Sequence, residues 1–319
     1  MSILVFAESQ NNKFKKSTFE AISYAKDLAT LLDLECIVTC PAETENLEIL
    51  SQYGADKIIT HQSDELRIFT PTRYAEMIYK TAAAHTCKHV IISQTYAGKA
   101  IAPIVAAKLN YAIVTGIIDF PTQEEELVVT KTVFSNKAYA KVHLPKENLV
   151  MTIVPNSYEL KQQKGQGSIV NHTFTSSSHV LTKSIEIMKS KGKVPLTEAE
   201  IVVSAGRGLK GAENWSMIEE LADLLGAATA CSKPVSDMEW RPHSEHVGQT
   251  GITIKPDLYI AIGISGAIQH LAGVGSSKNI VVINTDKEAP FFKAADYGIV
   301  GDAFEVVPKM IEALKNSQS

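Results

Sequence analysis

The sequence predicts an α/β protein of two domains, each built around a mostly parallel sheet. Short apolar runs of strand length alternate with segments of helical periodicity, a pattern typical of doubly wound sheets. The 319 residues exceed the length of one average domain. A polar stretch from residue 155 to about 196 interrupts the pattern. We therefore expect an N-terminal domain over residues 1–196, ending in a polar linker, and a C-terminal domain over residues 197–319.

Strands and helices alternate along the N-terminal domain as far as residue 118. The predicted strands are residues 3–7, 34–39, 57–60, 89–93 and 112–118, and the predicted helices are residues 18–32, 47–53, 73–84 and 101–109. The pattern then changes to three strands joined by polar turns, over residues 127–134, 138–144 and 149–154. We expect these three to form a meander that extends the doubly wound sheet.

The C-terminal domain opens with a pattern typical of a Rossmann-like fold. A strand over residues 200–205 runs into Gly206-Arg-Gly-Leu-Lys-Gly211, and a helix is predicted over residues 213–225. Glycines at this spacing between a strand and a helix let a pyrophosphate approach the backbone. The acid that usually contacts the ribose is missing, because the next strand runs into Ser232-Lys233. Alone, this fingerprint is weak evidence for a dinucleotide.

The segment from residue 258 to residue 284 is the most informative part of the chain. Leu258–Ile262 is a continuous apolar run that fits a buried parallel strand. A glycine then breaks the run, and Ser265 is expected to cap a short helix that begins at Gly266. A second apolar strand, residues 280–283, ends on Asn284. Such an arrangement presents backbone N–H groups to a phosphate.

Helical spacing divides the residues of this short helix between two faces. Three apolar residues are expected to face the core: Ile264, Ile268 and Leu271. Ser265, Gln269 and His270 then face the other way. They are either ordinary solvated residues or part of a ligand site. Two polar side chains within one turn of a helix start, after a buried strand, favour the ligand site.

A long irregular segment, residues 234–251, lies between these two motifs, and such loops are often functional. His243 and His246 have a spacing seen in metal sites, but no third ligand lies nearby in the sequence. We interpret both as loop histidines and expect no metal. The four cysteines form no Cys-x-x-Cys pair and are expected to be buried thiols.

Composition and patterning exclude several functions. The formal charge of -4 and the pI near 6.2 give no basic stripe for nucleic acid. No apolar run approaches the roughly 18 residues of a transmembrane helix. The first residues resemble neither a secretory nor a mitochondrial leader, so we expect a cytoplasmic protein. No nucleophile elbow or close carboxylate pair is evident. This profile is typical of a protein whose cofactor carries the chemistry.

The segment 258–284 resembles the signature of the alpha subunit of electron-transfer flavoproteins. It has a tyrosine, several glycines, a Gln-His pair and a terminal asparagine at the intervals of that signature. The resemblance continues through the C-terminal third of the chain, in Gly206–Gly211, Val247-Gly-Gln-Thr-Gly251, Glu288-Ala-Pro290 and Ala295-Asp-Tyr-Gly-Ile-Val300. The N-terminal part is similar more loosely, in segments such as Leu4-Val-Phe-Ala-Glu8.

The resemblance implies that FAD binds to the C-terminal domain, and its site residues carry over position by position. The pyrophosphate or flavin would lie near Arg207, Ser232 and Lys233. The isoalloxazine would be lined by Val247, Gly248, Gln249 and Thr250, with Thr250 at its N5 edge. The ribityl chain and pyrophosphate would be surrounded by Ser265, Gly266, Ala267, Ile268, Gln269 and His270, with His270 reaching the C2 carbonyl, and the adenosine end would be held by Asn284, Asp302 and Ala303. Lys233 departs from the family pattern, which usually has arginine. Lysine keeps the charge but loses the planar group that stacks on a flavin.

The function that the resemblance implies is electron transport rather than conversion of a substrate. The chain would form a heterodimer with a beta subunit that carries AMP or a second flavin. It would accept electrons from acyl-CoA-type dehydrogenases, as in fatty acid β-oxidation, and pass them singly to a quinone oxidoreductase. Two alternatives stay open: a self-sufficient nicotinamide or flavin oxidoreductase built on residues 206–211, and a non-redox adenine-nucleotide-binding module.

Overall fold

The computed structural model describes residues 1–123, 127–134, 138–177 and 194–318. The chain separates into two compact units. One comprises Met1–Thr132 and Tyr139–Lys189, and the other Val133–Ala138 and Ser190–Ser319. The first unit contains a large, mostly parallel sheet and the second contains a separate parallel sheet. The predicted α/β class is confirmed.

The first unit alternates strands and helices from its first residues. Its strands are β1 (Ser2–Phe6), β2 (Ser9–Gln10), β3 (Lys13–Phe14), β4 (Glu35–Pro41), β5 (Lys57–Gln62), β6 (Cys87–Ser93), β7 (Ala112–Ile117), β8 (Thr122–Gln123), β9 (Leu127–Val133), β10 (Ala138–Leu144), β11 (Leu149–Ile153) and β12 (Ser168–Thr173). Its helices are α1 (Lys16–Leu32), α2 (Ile49–Gln52), α3 (Pro71–Ala84) and α4 (Tyr96–Leu109).

The large sheet has the strand order β10-β9-β7-β11-β6-β1-β4-β5-β12, and β8 pairs with β9. Along this strand order, every neighbouring pair in the part β7-β11-β6-β1-β4-β5-β12 is parallel. Every residue of β1 is buried, as expected for a strand covered on both faces. Alternate residues of β1 belong to two hydrophobic clusters, for example Val5 in one and Leu4 in the other.

The prediction of a meander is correct for β9 and β10 and wrong for β11. The two correct strands extend the sheet beyond β7, to which β9 is antiparallel. β11 lies instead between β7 and β6 and is parallel to both. All five of its residues, Leu149–Ile153, are buried, as is typical of a central parallel strand. The continuous apolar run of β11 is the pattern of a central strand, but the short connection to β10 favoured a hairpin.

The prediction of a linker or weakly packed segment from residue 155 is wrong for residues 168–173. These residues form β12, which pairs in parallel with β5 at the edge of the sheet. Its side chains are almost all exposed, so its apolar content is too low for a strand pattern in the sequence. Residues 178–193 of this segment lie outside the described residues.

The second unit is smaller and fully parallel. Its strands are β13 (Ile201–Ala205), β14 (Ala228–Cys231), β15 (Leu258–Ile262), β16 (Asn279–Asn284) and β17 (Tyr297–Val300). Its helices are α5 (Ser216–Leu225), α6 (Lys233–Asp237), α7 (Ile268–Val274) and α8 (Ala303–Gln318). The strand order is β14-β13-β15-β16-β17, with every neighbouring pair parallel.

The helix after β15 differs from the prediction in its start and in its buried face. It begins at Ile268, two residues later than expected, and Ser265 does not cap it. Gly266 has a φ of +81°, which helical backbone does not permit. The face that packs inward contains His270, Gly273 and Val274, whereas Ile268 is 65% exposed. Ile264 is buried as expected, but it lies before the helix and therefore does not show which helix face packs inward.

β17 forms one edge of the smaller sheet, and all four of its residues are exposed. Three of its exposed side chains are large and apolar: Tyr297, Ile299 and Val300. Among the helices in the described ranges, none is long and apolar enough to cross a membrane.

Candidate functional site

The strand order of the second unit creates a crevice between β13 and β15. From β13 the chain proceeds to β14 on one side, and β15 then adds on the other side. The loops that follow β13 and β15 therefore leave the carboxyl edge of the sheet in opposite directions. In open parallel sheets, this switch in direction is where ligands bind.

Glycines bring the two loops at this switch point into backbone contact. Gly206 and Gly208 follow β13, and their N–H groups donate to the carbonyls of Ile262 and Gly263 at 2.9 and 3.1 Å. A β-carbon on Gly206 would lie 2.3 Å from the carbonyl oxygen of Gly263. Gly263 has a φ of +60°, and its own β-carbon would lie 2.8 Å from the α-carbon of Gly208. Neither loop therefore has room for a side chain here.

A cavity of about 560 Å³ lies at this edge of the sheet. It is lined by many of the residues predicted to bind the cofactor: Arg207, Ser232, Lys233, Val247, Gly248, Gln249, Thr250, Ser265, Ala267, Gln269, His270 and Asn284. These residues come from four separate stretches of sequence, following β13, β14, β15 and β16. The sheet brings together what the sequence separates by up to 77 positions, from Arg207 to Asn284.

Four residues predicted for the site lie outside the cavity wall. Gly266 packs against Phe291, where a β-carbon would come within 2.5 Å of the phenylalanine side chain. Ile268 is exposed at the start of α7. Asp302 accepts a hydrogen bond from the N–H of Phe304 at the start of α8, and Ala303 is buried there.

Five further residues line the cavity without having been predicted for the site: Pro234, His246, Gly263, Ile264 and Asp286. His246 was interpreted as a loop histidine; it lies in a loop, but only 2% of it is exposed and it lines the cavity, which the sequence did not predict. One signal could have identified it. His246 directly precedes Val247-Gly-Gln-Thr-Gly251, the segment that the resemblance assigned to the isoalloxazine.

The segment 246–250 is anchored at both ends by backbone hydrogen bonds. The N–H of Val247 donates to the carbonyl of Cys231 at the end of β14, at 3.1 Å. The N–H of Gln249 donates to the carbonyl of Gln269 in α7, at 2.7 Å. A β-carbon on Gly273 would lie 2.5 Å from the nitrogen of Gly248, so this part of α7 must be glycine. The segment therefore spans from β14 to α7 in a fixed position.

The cavity contains cations that the protein does not neutralise. Arg207 and Lys233 are both exposed and line it, and neither forms an ion pair within the described part of the chain. A guanidinium and an ammonium group are the usual partners of phosphate oxygens. The one carboxylate in the lining, Asp286, accepts a backbone hydrogen bond from Glu288 at 3.0 Å.

His270 is a buried, neutral hydrogen-bonding group in the cavity wall. Its Nε2 lies 2.8 Å from the hydroxyl of Tyr259, which is itself fully buried in β15. Burial, and to a smaller extent the neighbouring His246, lowers the pKa of His270 to about 4. The Nδ1 atom is buried without a hydrogen-bond partner in the described chain. Such an atom costs about 1–3 kcal/mol unless a ligand supplies a partner.

These features fit a dinucleotide with a polar ring. The glycines carry no side chains that would cover the backbone at the switch point. The unpaired cations can bind a pyrophosphate, and the Nδ1 atom of His270 can form a hydrogen bond with a carbonyl or nitrogen of the ring. No metal site competes with this interpretation in the residues described: they contain no group of three or more His, Cys, Asp or Glu side chains able to hold an ion.

Comparison with known proteins agrees with the geometry. Residues 3–177 match the electron transfer flavoprotein domain, and residues 195–275 match the electron transfer flavoprotein FAD-binding domain. The chain is 36% identical to the electron transfer flavoprotein subunit alpha of Bacillus subtilis, covering 98% of this chain and 97% of that protein. It is 34% identical to the subunit of the same name from Syntrophomonas wolfei, covering 98% of each. It is 33% identical to the protein FixB of Clostridium saccharobutylicum, covering 98% and 96%.

The second match extends over the loops after β13, β14 and β15, and thus over most of the cavity wall. The cofactor of this unit is FAD, and the chain belongs to the alpha-subunit family of electron-transfer flavoproteins.

Proposed function

We propose that this chain is the FAD-carrying subunit of a heterodimer and acts as an electron carrier rather than as a substrate-converting enzyme. The cavity at the switch point of the second unit carries the proposal, since it combines unpaired cations with a neutral, partly unsatisfied histidine. Relatives that are named as subunit alpha support a beta subunit as its partner.

The cavity residues divide into two chemical groups in this proposal. Arg207 and Lys233 would lie near the pyrophosphate or the flavin, because they line the cavity as cations without an ion pair in the described part of the chain. Val247 to Thr250 and His270 would surround the isoalloxazine, and Ser265 to Gln269 the ribityl chain. Asn284 and Asp302 would hold the adenosine end. They lie close to each other, since the N–H of Gly301 donates to the carbonyl of Asn284 at 3.0 Å.

The charge of these groups would set how readily FAD accepts an electron. FAD supplies the redox chemistry when it is bound, and a cation or donor near it stabilises the added negative charge. A unit charge at about 4 Å in an effective dielectric of about 20 contributes up to about 4 kcal/mol. For one electron this corresponds to roughly 170 mV. A single change at His270 or Lys233 is therefore large enough to alter the potential measurably.

The further steps belong to the same proposal. The chain would accept electrons from acyl-CoA-type dehydrogenases, release them one at a time to a quinone oxidoreductase, and work in the cytoplasm. The family resemblance supports these partners. Mixing the reduced heterodimer with each of them and following flavin absorbance tests them directly, and no transfer to any of them would contradict this part.

Nucleotide binding by the first unit is disfavoured by a carboxylate. Its crevice lies at the end of β1, where the sheet extends from β1 to β4 on one side and to β6 on the other. Glu8 lies in this position, and its carboxylate accepts from Thr95 and pairs with Lys15 at 2.7 Å. Because Lys15 is already paired with this carboxylate, it is not free to bind a phosphate, whereas Arg207 and Lys233 line the cavity of the second unit without an ion pair among the described residues; this difference favours the second unit as the nucleotide site.

One experiment tests the central proposal. The chain is co-expressed with its beta subunit, the complex is purified, and FAD is counted per heterodimer. We expect a yellow heterodimer with FAD on this chain and no turnover of NADH by the complex alone. Turnover of NADH without a second protein would favour the oxidoreductase, and a colourless complex would contradict FAD binding.

A further inference from the structure

A second buried histidine, His246, lies in the cavity wall together with His270. His246 is 2% exposed and His270 is 7% exposed, and both side chains line the cavity. The Nδ1 atom of each ring is buried and has no hydrogen-bond partner in the described chain. Two unsatisfied imidazole nitrogens on side chains that line one cavity are costly in a folded protein unless a ligand or a proton satisfies them.

The backbone at His246 is held in place by two neighbouring segments. The carbonyl of His246 accepts from the N–H of Ile252 at 2.8 Å, and its backbone forms an isolated bridge with Cys231 at the end of β14. A β-carbon on Gly251 would lie 2.8 Å from Nδ1 of His246. The glycine therefore leaves the space beside this nitrogen open for a proton.

The two rings differ in how readily they accept a proton. His270 is engaged through Nε2 with Tyr259, and burial holds its pKa at about 4. Burial also lowers the pKa of His246, followed by the charges of His243 and Lys233, while Asp237 acts in the opposite direction. The titratable or charged groups that act on His246 are thus Lys233 and Asp237 from α6, His243 from the turn at 243–245, and His270 from α7. Burial favours the neutral form of both rings, and negative charge in the cavity favours protonation of His246, because His270 is already hydrogen-bonded to Tyr259.

We propose that His246 takes up a proton when the FAD in this cavity is reduced, so that electron entry is coupled to proton uptake by the protein. The inference rests on the proposed FAD site. The first electron comes from an external reductant and adds one negative charge to the cofactor. One proton from water binds Nδ1 of His246 and makes it an imidazolium. No covalent bond to FAD forms or breaks, and oxidation reverses both steps.

The test is a redox titration of the FAD-loaded heterodimer between pH 6 and pH 8.5, followed by flavin absorbance. Uptake of one proton per electron lowers the midpoint potential by about 59 mV per pH unit. We expect the wild type to approach this slope for the first electron, and His246→Gln to lose most of it. An indicator dye in weak buffer measures the same proton directly and should show up to one proton fewer per flavin in this variant.

His243→Gln is the matched control. The ring of His243 lies 5.3 Å from that of His246, centroid to centroid, but it is exposed and does not line the cavity. Since His243 lowers the pKa of His246, its removal should not weaken proton binding there, and we expect this variant to keep the slope and to take up no fewer protons than the wild type. A loss in both variants would show that the effect is a general change of local charge and would overturn the role of His246.

Further outcomes separate this inference from the proposed function. A pH-independent potential in the wild type, or equal proton uptake in the wild type and His246→Gln, would overturn the inference while leaving FAD binding intact. A complex without FAD would instead contradict the proposed function. Should His246→Gln fail to retain FAD, ¹⁵N-histidine NMR of the unmodified complex decides the matter. One additional imidazolium in the reduced form supports the proposal, and none overturns it.

Discussion

The backbone contact at the switch point makes a quantitative prediction for Gly263→Ala. The new β-carbon would lie 2.8 Å from the α-carbon of Gly208, against an ordinary contact of 3.4–4 Å, so the two loops must separate by several tenths of an ångström. The φ of +60° adds strain of its own, about 1–2 kcal/mol for a residue with a side chain. Forced repacking of a tight contact costs about 1–3 kcal/mol. We expect the free energy of unfolding of the second unit to fall by about 2–5 kcal/mol.

Gly226→Ala is a matched control that isolates the contact. Gly226 follows α5 with a φ of +62°, and a β-carbon there would meet no heavy atom within 4 Å. The two variants therefore share the backbone strain, while only Gly263→Ala has the close approach. We expect Gly226→Ala to lower the free energy of unfolding by no more than about 1–2 kcal/mol.

Tryptophan fluorescence is a suitable assay because both tryptophans of the chain lie in the second unit. Trp215 is buried and Trp240 is partly buried against the same core cluster. Urea unfolding of the FAD-free chain, followed by this signal, reports the stability of the unit that contains the cavity. FAD titration gives a second measurement: Gly263→Ala should weaken binding at least tenfold and Gly226→Ala should leave it unchanged. Equal losses in both variants would refute the reasoning.

Three further predictions concern single side chains. Lys233→Arg restores a planar cation at the cavity, and we expect the first-electron potential to rise by about 20–80 mV; equal potentials in a spectroelectrochemical titration would contradict this. Glu76→Gln should destabilise the first unit by about 1–3 kcal/mol at pH 7. Burial raises the pKa of Glu76, but hydrogen bonds from Lys80 and two serines outweigh this effect, so that the net pKa is lowered. The carboxylate therefore stabilises the fold above pH 4.5, and this contribution is lost as the pH falls. The difference in stability between the wild type and Glu76→Gln, measured by circular dichroism, should shrink in acid. Burial lowers the pKa of His61 from 6.5 to about 4, so the unfolded chain binds the extra proton and stability should fall by up to about 3 kcal/mol as the pH drops between these values. His61→Gln should flatten this part of the pH profile, and an unchanged profile would contradict the assignment.

The fold was predictable where a segment's own pattern determines its structure. Leu258–Ile262 is apolar throughout and forms the buried strand that its sequence predicts. β11 was misassigned because strand order depends on which neighbours a strand contacts, and no local pattern records that. β12 was missed because an exposed edge strand needs few apolar residues.

The site was predictable to the extent that glycines and polar residues follow buried strands. His270 was identified in this way, but its burial was not, because the positive φ of Gly266 delays the helix and changes which face packs inward. His246 was missed for a different reason. Its role depends on a loop that the backbone fastens between β14 and α7, and the spacing of histidines along the sequence does not reveal that contact.

The exposed edge strand β17 has a practical consequence for handling the protein. Tyr297, Ile299 and Val300 are 67%, 40% and 60% exposed, and among the strands that the structure describes β17 pairs on one side only, with β16. A strand of this kind is a template on which a second chain can add in register. We expect the polypeptide, when overproduced by itself, to self-associate along this edge, and Ile299→Lys to reduce that association as measured by size-exclusion chromatography.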